Sequence, residues 1–141
     1  MPTVNPYLIF NGTCEAAFLH YQKVFGGEFP YMGKFKDMPP AEGCDPLSEE
    51  EGNRVMHVTL PISAETVLMG SDSTSQSGPA KMGDNVQISI NTESQEEADR
   101  LFTGLAEGGT VIMAMTKTFW GAYFGMCIDA FGVHWMVNFD E

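Results

Sequence analysis

The sequence predicts an α+β protein made of two βαβββ modules in one chain. Three observations carry this. Each half opens on a short apolar strand that runs into a helix, and each helix ends at a glycine pair, Gly26-Gly27 and Gly108-Gly109. The opening strands run in parallel, Leu8-Ile9-Phe10-Asn11-Gly12 beside Ile88-Ser89-Ile90-Asn91-Thr92. The hairpin Val58 to Met69 in the first half has its counterpart in Met126 to Met136 in the second. Self-similarity of this kind fixes topology more firmly than local propensity does.

In the first module, Tyr7 to Phe10 is a strand ended by Asn11-Gly12. Thr13 caps a helix over Glu15 to Phe25, in which Phe18, Tyr21 and Phe25 recur at helical spacing. Glu28 to Lys36 reads as a strand. A loop follows from Asp37 to Asn53, with Pro39-Pro40, Pro46, Cys44 and the acidic run Glu49-Glu50-Glu51. Arg54 to Leu60 and Thr66 to Gly70 form a hairpin around Pro61 to Glu65. The polar stretch after it reads as a linker.

In the second module, Val86 to Asn91 is a strand. Ser94 with Glu97 forms a capping box, so a helix runs to about Glu107 with Leu101 and Leu105 on one face. Thr110 to Thr116 is a strand. Ala122 to Ile128 and Val133 to Phe139 close the chain as a hairpin around Asp129-Ala130-Phe131-Gly132. The expected organisation is one domain over 1–141, with pseudo-repeats at about 5–72 and 85–139 and a linker at 73–84.

Composition narrows the function. With 7 Lys plus Arg against 19 Asp plus Glu, the net charge is -12. Such a chain lacks the counter-charge that phosphate needs, so neither nucleic acid nor an anionic membrane is an expected partner. No apolar run approaches a membrane span. Met1 to Pro6 has no basic region or long apolar stretch, so no secretory signal is expected and a cytoplasmic setting is. Three cysteines, Cys14, Cys44 and Cys127, show no paired spacing that would suggest a disulfide framework or a zinc finger.

Alternation along the strands separates two faces. Met56, Val58 and Leu60 stand against Val55, His57 and Thr59. Val86, Ile88 and Ile90 stand against Asn85, Gln87 and Ser89. Ala122, Phe124, Met126 and Ile128 stand against Tyr123, Gly125 and Cys127. The first set of each is assigned to a helix-covered face and the second to a concave face, with Tyr7, Met69 and Met136. Two such units would enclose a cavity between curved sheets. The alternative is that the polar sets simply meet solvent.

Asn5-Pro6-Tyr7-Leu8, Tyr21-Gln22-Lys23-Val24-Phe25-Gly26-Gly27, Val55-Met56-His57-Val58, Leu68-Met69-Gly70-Ser71-Asp72 and Trp120-Gly121 through Asp129-Ala130-Phe131-Gly132-Val133-His134-Trp135 run in order along the chain. Together they resemble the PhnB-like branch of the vicinal oxygen chelate superfamily, which includes glyoxalase I, bleomycin-resistance proteins and extradiol dioxygenases. Ala130 departs from the branch, which usually has Pro there. The resemblance implies the glyoxalase/bleomycin-resistance fold, paired βαβββ modules and a homodimer. Members often carry a demethylubiquinone methyltransferase name, but no Gly-rich strand-to-helix turn of the kind that cradles S-adenosylmethionine is present, and fold analogy does not carry activity.

Metal-dependent relatives use four His, Gln or Glu ligands, two per module. By resemblance these positions fall at about Asn5, Met69, Asn85 and Met136. Amides and thioethers are a poor set for Zn, Ni, Fe or Mn, so no metal and no cofactor are expected. His57 is the candidate acid–base residue, since histidine changes charge near neutral pH; the alternative is a structural histidine. Cys127 would need an activating positive environment to act as a nucleophile. Tyr7, Tyr123, Trp120 and Trp135 can stack on a planar ligand or serve as packing, and the methionines can supply an adaptable apolar wall.

The expectation is a metal-free binder of a small organic molecule, cationic or aromatic, held by Asn5, Tyr7, His57, Thr59, Met69, Asn85, Gln87, Tyr123, Cys127, His134 and Met136. The alternatives are a metal-independent lyase or isomerase using His57, and a divalent-metal glyoxalase or dioxygenase-like enzyme.

Overall fold

A computed structural model describes residues 2–39 and 47–141. Contacts divide the chain into two compact units: Met1–Gln22 with Gly26–Ala80, and Lys23–Phe25 with Lys81–Glu141. Each contains a four-stranded mixed sheet, and the chain is α+β with the expected βαβββ order twice over. Pro40, Cys44 and Pro46 of the acidic loop lie outside the described residues.

The first unit contains β1 (Tyr7–Phe10), α1 (Cys14–Phe25, its last turn counted with the second unit), β2 (Tyr31–Lys34), α2 (Glu49–Gly52), β3 (Val55–Pro61) and β4 (Val67–Asp72). The sheet order is β1-β4-β3-β2, with β1 parallel to β4 and the other pairs antiparallel. Phe10, Ala17, Phe18, Tyr21, Val58 and Leu60 are wholly buried, each large apolar side chain contributing about 1.5–3 kcal/mol of transfer free energy. A Cβ on Gly70 would meet the Phe18 ring at 2.6 Å, so glycine there is what lets this ring close on β4.

Two local expectations change. Thr13 makes no side-chain cap; its backbone is not extended, and the capping acceptor comes from the end of the neighbouring strand β4. Oδ1 of Asp72 accepts from the N–H groups of Gly12 (2.9 Å) and Cys14 (3.0 Å), and Oδ2 accepts from Val55 N–H (2.9 Å). A carboxylate only 4% exposed therefore ties the β1–α1 turn to the starts and ends of two strands. The acidic run, read as loop, forms the single turn α2. Ser48 Oγ accepts from Glu51 N–H at 3.1 Å, and three carboxylates lie at the positive end of the turn.

The stretch after β4 is also held down. Asn11 accepts from Ser73 Oγ (2.7 Å) and Ala80 N–H (2.8 Å) and donates to the Ala80 carbonyl (2.9 Å). Glu51 accepts from the N–H of Ser75 at 2.7 Å.

The second unit contains β5 (Ile88–Asn91), α3 (Gln95–Ala106), β6 (Thr110–Lys117), β7 (Ala122–Ile128) and β8 (His134–Asp140) in the order β5-β8-β7-β6. Ser94 Oγ accepts from Glu97 N–H at 3.0 Å, while the Glu97 carboxylate reaches Glu93 N–H at 3.1 Å, one residue before the cap. Ala98, Leu101, Phe102 and Leu105 of α3 are buried, as are Trp135 and Val137 of β8. Trp135 donates from Nε1 to the buried Asp129 at 2.8 Å, and the other oxygen of that carboxylate holds the hairpin through the N–H groups of Phe131 (2.8 Å) and Val133 (3.0 Å).

Candidate functional site

In the first unit, the face away from the buried Phe10, Val58 and Leu68 carries a row of cross-strand partners: Tyr7 opposite Met69, Met69 opposite Thr59, and Thr59 opposite Tyr31. His57 stands on the same face, two residues before Thr59 and opposite Gly33. Tyr7 hydrogen-bonds His57, with its hydroxyl 3.2 Å from Nδ1 and the rings stacked at 5.6 Å and 29°. Tyr31 lies on the β2 side of the imidazole at 6.0 Å and 36°. Three rings thus form a band on this face.

Gly33 makes room for the band. A Cβ there would collide with the Tyr31 hydroxyl, so the tyrosine ring lies across the position where its own strand lacks a side chain. Sequence reasoning placed His57, Tyr7, Thr59 and Met69 on this face and missed Tyr31. The signal was available as Tyr31-x-Gly33, a large ring two residues from a glycine on one side of a strand.

A phenol is a better donor than acceptor. With Tyr7 donating to Nδ1, the imidazole proton sits on Nε2, which is then the donor for a partner molecule. Asn5 precedes β1, and its amide is engaged: Oδ1 accepts from Val67 N–H at 3.0 Å, and Nδ2 donates to Thr3 Oγ at 3.4 Å.

In the second unit, register corrects one face assignment. Cys127 pairs with Trp135, and Gly125 with Val137. Tyr123, Gly125 and Cys127 therefore share the face of the buried Trp135 and Val137, and Tyr123 donates to Asp99 of α3 at 2.6 Å. Phe124, Met126 and Ile128 occupy the other face with Met136 and His134. The reason is packing: beside an indole as large as that of Trp135, β7 presents a glycine and a thiol rather than larger side chains. Tyr123 and Cys127 thus stand apart from Met136 and His134. Ser89 pairs with Met136, which puts Gln87 on that same side of the chain just ahead of β5; Asn85 is exposed before the strand.

Neither described thiol is set up for nucleophilic chemistry. Burial and the neighbouring Asp129 push Cys127 up to about 11, and burial, Asp72 and Glu15 push Cys14 higher still.

The donors at the positions mapped from metal-dependent relatives do not fit a hard divalent ion. The Asn5 carbonyl oxygen is committed to the backbone, Met69 and Met136 offer thioethers, and among the described residues no three His, Cys, Asp or Glu side chains group together.

Residues 2–138 match the protein family described as 3-demethylubiquinone-9 3-methyltransferase. The chain is 34% identical to protein YjdN of Escherichia coli over 96% of its own length and 93% of the relative's. It is similar to the crystal structure of protein PA1353 from Pseudomonas aeruginosa, with a TM-score of 0.83, 41% identity, and coverage of 99% of this chain and 98% of that one. A glyoxalase/bleomycin resistance protein from Albidiferax ferrireducens shares the fold at a TM-score of 0.63 and 14% identity, over 97% of each chain.

Proposed function

From the premise that the chain belongs to the 3-demethylubiquinone-9 3-methyltransferase family, the PhnB-like group on the glyoxalase/bleomycin-resistance fold, we propose that it binds a flat organic molecule on the Tyr7–His57–Tyr31 band without a catalytic metal. The observation that carries this is the band itself. Three rings lie on one face within 6.0 Å of each other's centroids along the series, and both tyrosines are about half exposed. Such rings stack on planar ligands and attract cations through their faces. The net charge of -12 favours a cationic ligand over an anionic one. Met69 and Thr59 complete the row with an adaptable apolar group and a hydroxyl. The reading includes a homodimer, which light scattering on the purified protein checks, and a cytoplasmic setting, which cell fractionation checks.

The methyl transfer named in the family description is not part of this reading. In the first unit, the strand-to-helix turn that would cradle S-adenosylmethionine has the N–H groups of Gly12 and Cys14 spent on Asp72. The residues there do not fit that cofactor.

The test is thermal melting with an acridinium cation, a neutral aromatic of the same shape and an anionic one. The cation raises the melting temperature saturably, by the equivalent of about 2.7 kcal/mol at a hundredfold excess over Kd, and Tyr31→Ala removes the shift. No shift with any of the three, or an undiminished shift in Tyr31→Ala, overturns the reading.

A second reading uses the Tyr7–His57 hydrogen bond. It fixes the imidazole with Nε2 directed away from the phenol, the arrangement of a positioned acid or base in a metal-independent lyase or isomerase. His57→Gln would then abolish turnover with a loss of affinity no greater than that of Tyr31→Ala.

A further inference from the structure

The open face of the second sheet carries a different row. Met113 on β6 is the cross-strand partner of Met126 on β7, and Met126 is the partner of Met136 on β8. Three thioethers thus stand side by side on three adjacent strands. The register shift between Val111 and Met113 is what brings this about: Val111 pairs with Cys127, on the opposite face, and the irregularity at Ile112 returns Met113 to the face of Met126. Met113 is 42% exposed, and Met126 and Met136 are half-buried, so a small solute reaches the row.

Adjacent strands lie about 4.8 Å apart, so the outer two methionines are about 10 Å apart at the backbone. Three unbranched, freely rotating side chains are long enough to bring their sulfurs to a common point above Met126 over that span. Thioether sulfur is neutral and soft. It holds Cu(I) and Ag(I) in preference to Mg, Ca, Mn or Zn ions, which favour carboxylate, water or imidazole. The corresponding row of the first sheet, Tyr7–Met69–Thr59–Tyr31, has one thioether. One thioether by itself cannot form such a site.

We infer that Met113, Met126 and Met136 form a three-thioether site for a soft monovalent ion, Cu(I) or Ag(I). The site is built from residues of the second sheet alone, and the inference stands whether or not the Tyr7–His57–Tyr31 band binds an organic ligand. His134 lies two residues from Met136 on the same face and is placed to add a fourth, nitrogen donor.

The test titrates the full chain, with methionine methyl groups carbon-13 labelled, with Ag(I). The expected result is one equivalent bound, with shifts at the methyl signals of Met113, Met126 and Met136 together. Competition for Cu(I) against a chromophoric chelator then falls at least tenfold in Met126→Leu, a swap that conserves volume and keeps the fold. Silent methyl signals with Ag(I) still bound would assign the ion to a thiol or imidazole and overturn the inference. So would a shift at only one of the three. The methyl signals are read on the unaltered protein, so the result stands even where a variant fails to fold.

Discussion

The hydroxyl of Tyr7 lies 3.2 Å from Nδ1 of His57, although the residues are 50 positions apart and their strands are separated by β4. The phenol spans the neighbouring strand to reach the imidazole, so the pair is a product of the whole sheet. Tyr7→Phe keeps the ring and removes the bond. An exposed hydrogen bond is worth about 0.5–1.5 kcal/mol at most, so the urea midpoint moves little. The nitrogen-15 signals of His57 report the change instead: with the phenol gone, the two ring nitrogens share the proton more evenly. Unchanged imidazole signals in Tyr7→Phe would show that the contact does not set the tautomer.

Two glycine substitutions separate positioning from stability. A Cβ on Gly33 meets the far end of a tyrosine side chain, which can swing away. Gly33→Ala therefore costs under about 1 kcal/mol while displacing Tyr31 and weakening binding on the aromatic band. A Cβ on Gly109 runs into the carbonyl oxygen of Ile128 and the backbone of Asp129, which cannot swing. Gly109→Ala costs about 1–3 kcal/mol. Denaturant midpoints of the two variants in the reverse order would refute this.

Asp72 accepts three backbone N–H groups from two places in the chain. Asp72→Asn keeps the shape and replaces one acceptor oxygen by a donor facing N–H groups. The expected loss is about 3 kcal/mol, with the near-ultraviolet signal of the first unit's aromatic residues weakened before global unfolding. A midpoint equal to wild type would show that solvent satisfies those groups as well as the carboxylate does.

Cys127 keeps its proton to about 11, above the ordinary thiol value of 9.0, because burial disfavours the thiolate and Asp129 repels it. Between those values the unfolded chain has lost a proton that the native state keeps. The native state binds more protons, so stability falls as pH rises from about 9 toward 11. In Cys127→Ala this fall is shallower, measured by urea midpoints at several alkaline pH values. Native protein at pH 8 also leaves Cys14 and Cys127 unmodified by a thiol reagent that titrates both in denaturant. Rapid native modification of either would contradict the burial argument.

The sheets were legible in the sequence where one face of a strand is plainly apolar. Met56, Val58 and Leu60 against His57 and Thr59 is such a case, and Ile88 and Ile90 against Ser89 is another. β7 is not. Phe124, Met126 and Ile128 outweigh Tyr123, Gly125 and Cys127 in hydrophobicity, yet the second set faces α3. Alternation gives the period of a strand and not its sign when both sets are apolar. The sign came from the partner, since Trp135 must be buried and Cys127 stands opposite it. The cap of α1 was beyond local reading for a similar reason. Its acceptor comes from residue 72, whereas Thr13 is the local residue that pattern rules select. His57 and Tyr7 were legible as members of one face, but their hydrogen bond was not, because it depends on how far a phenol reaches across β4.

The carboxylate of Asp72 also sets an order of events at the ribosome. Until residue 72 has been synthesised, α1 has no acceptor for its leading amides, and a 12-residue helix is marginal on its own. The nascent first half must therefore wait, uncapped, for nearly fifty residues beyond the end of that helix. Chains truncated before Asp72 would then protect the leading amides of α1 from hydrogen exchange less than chains that include it.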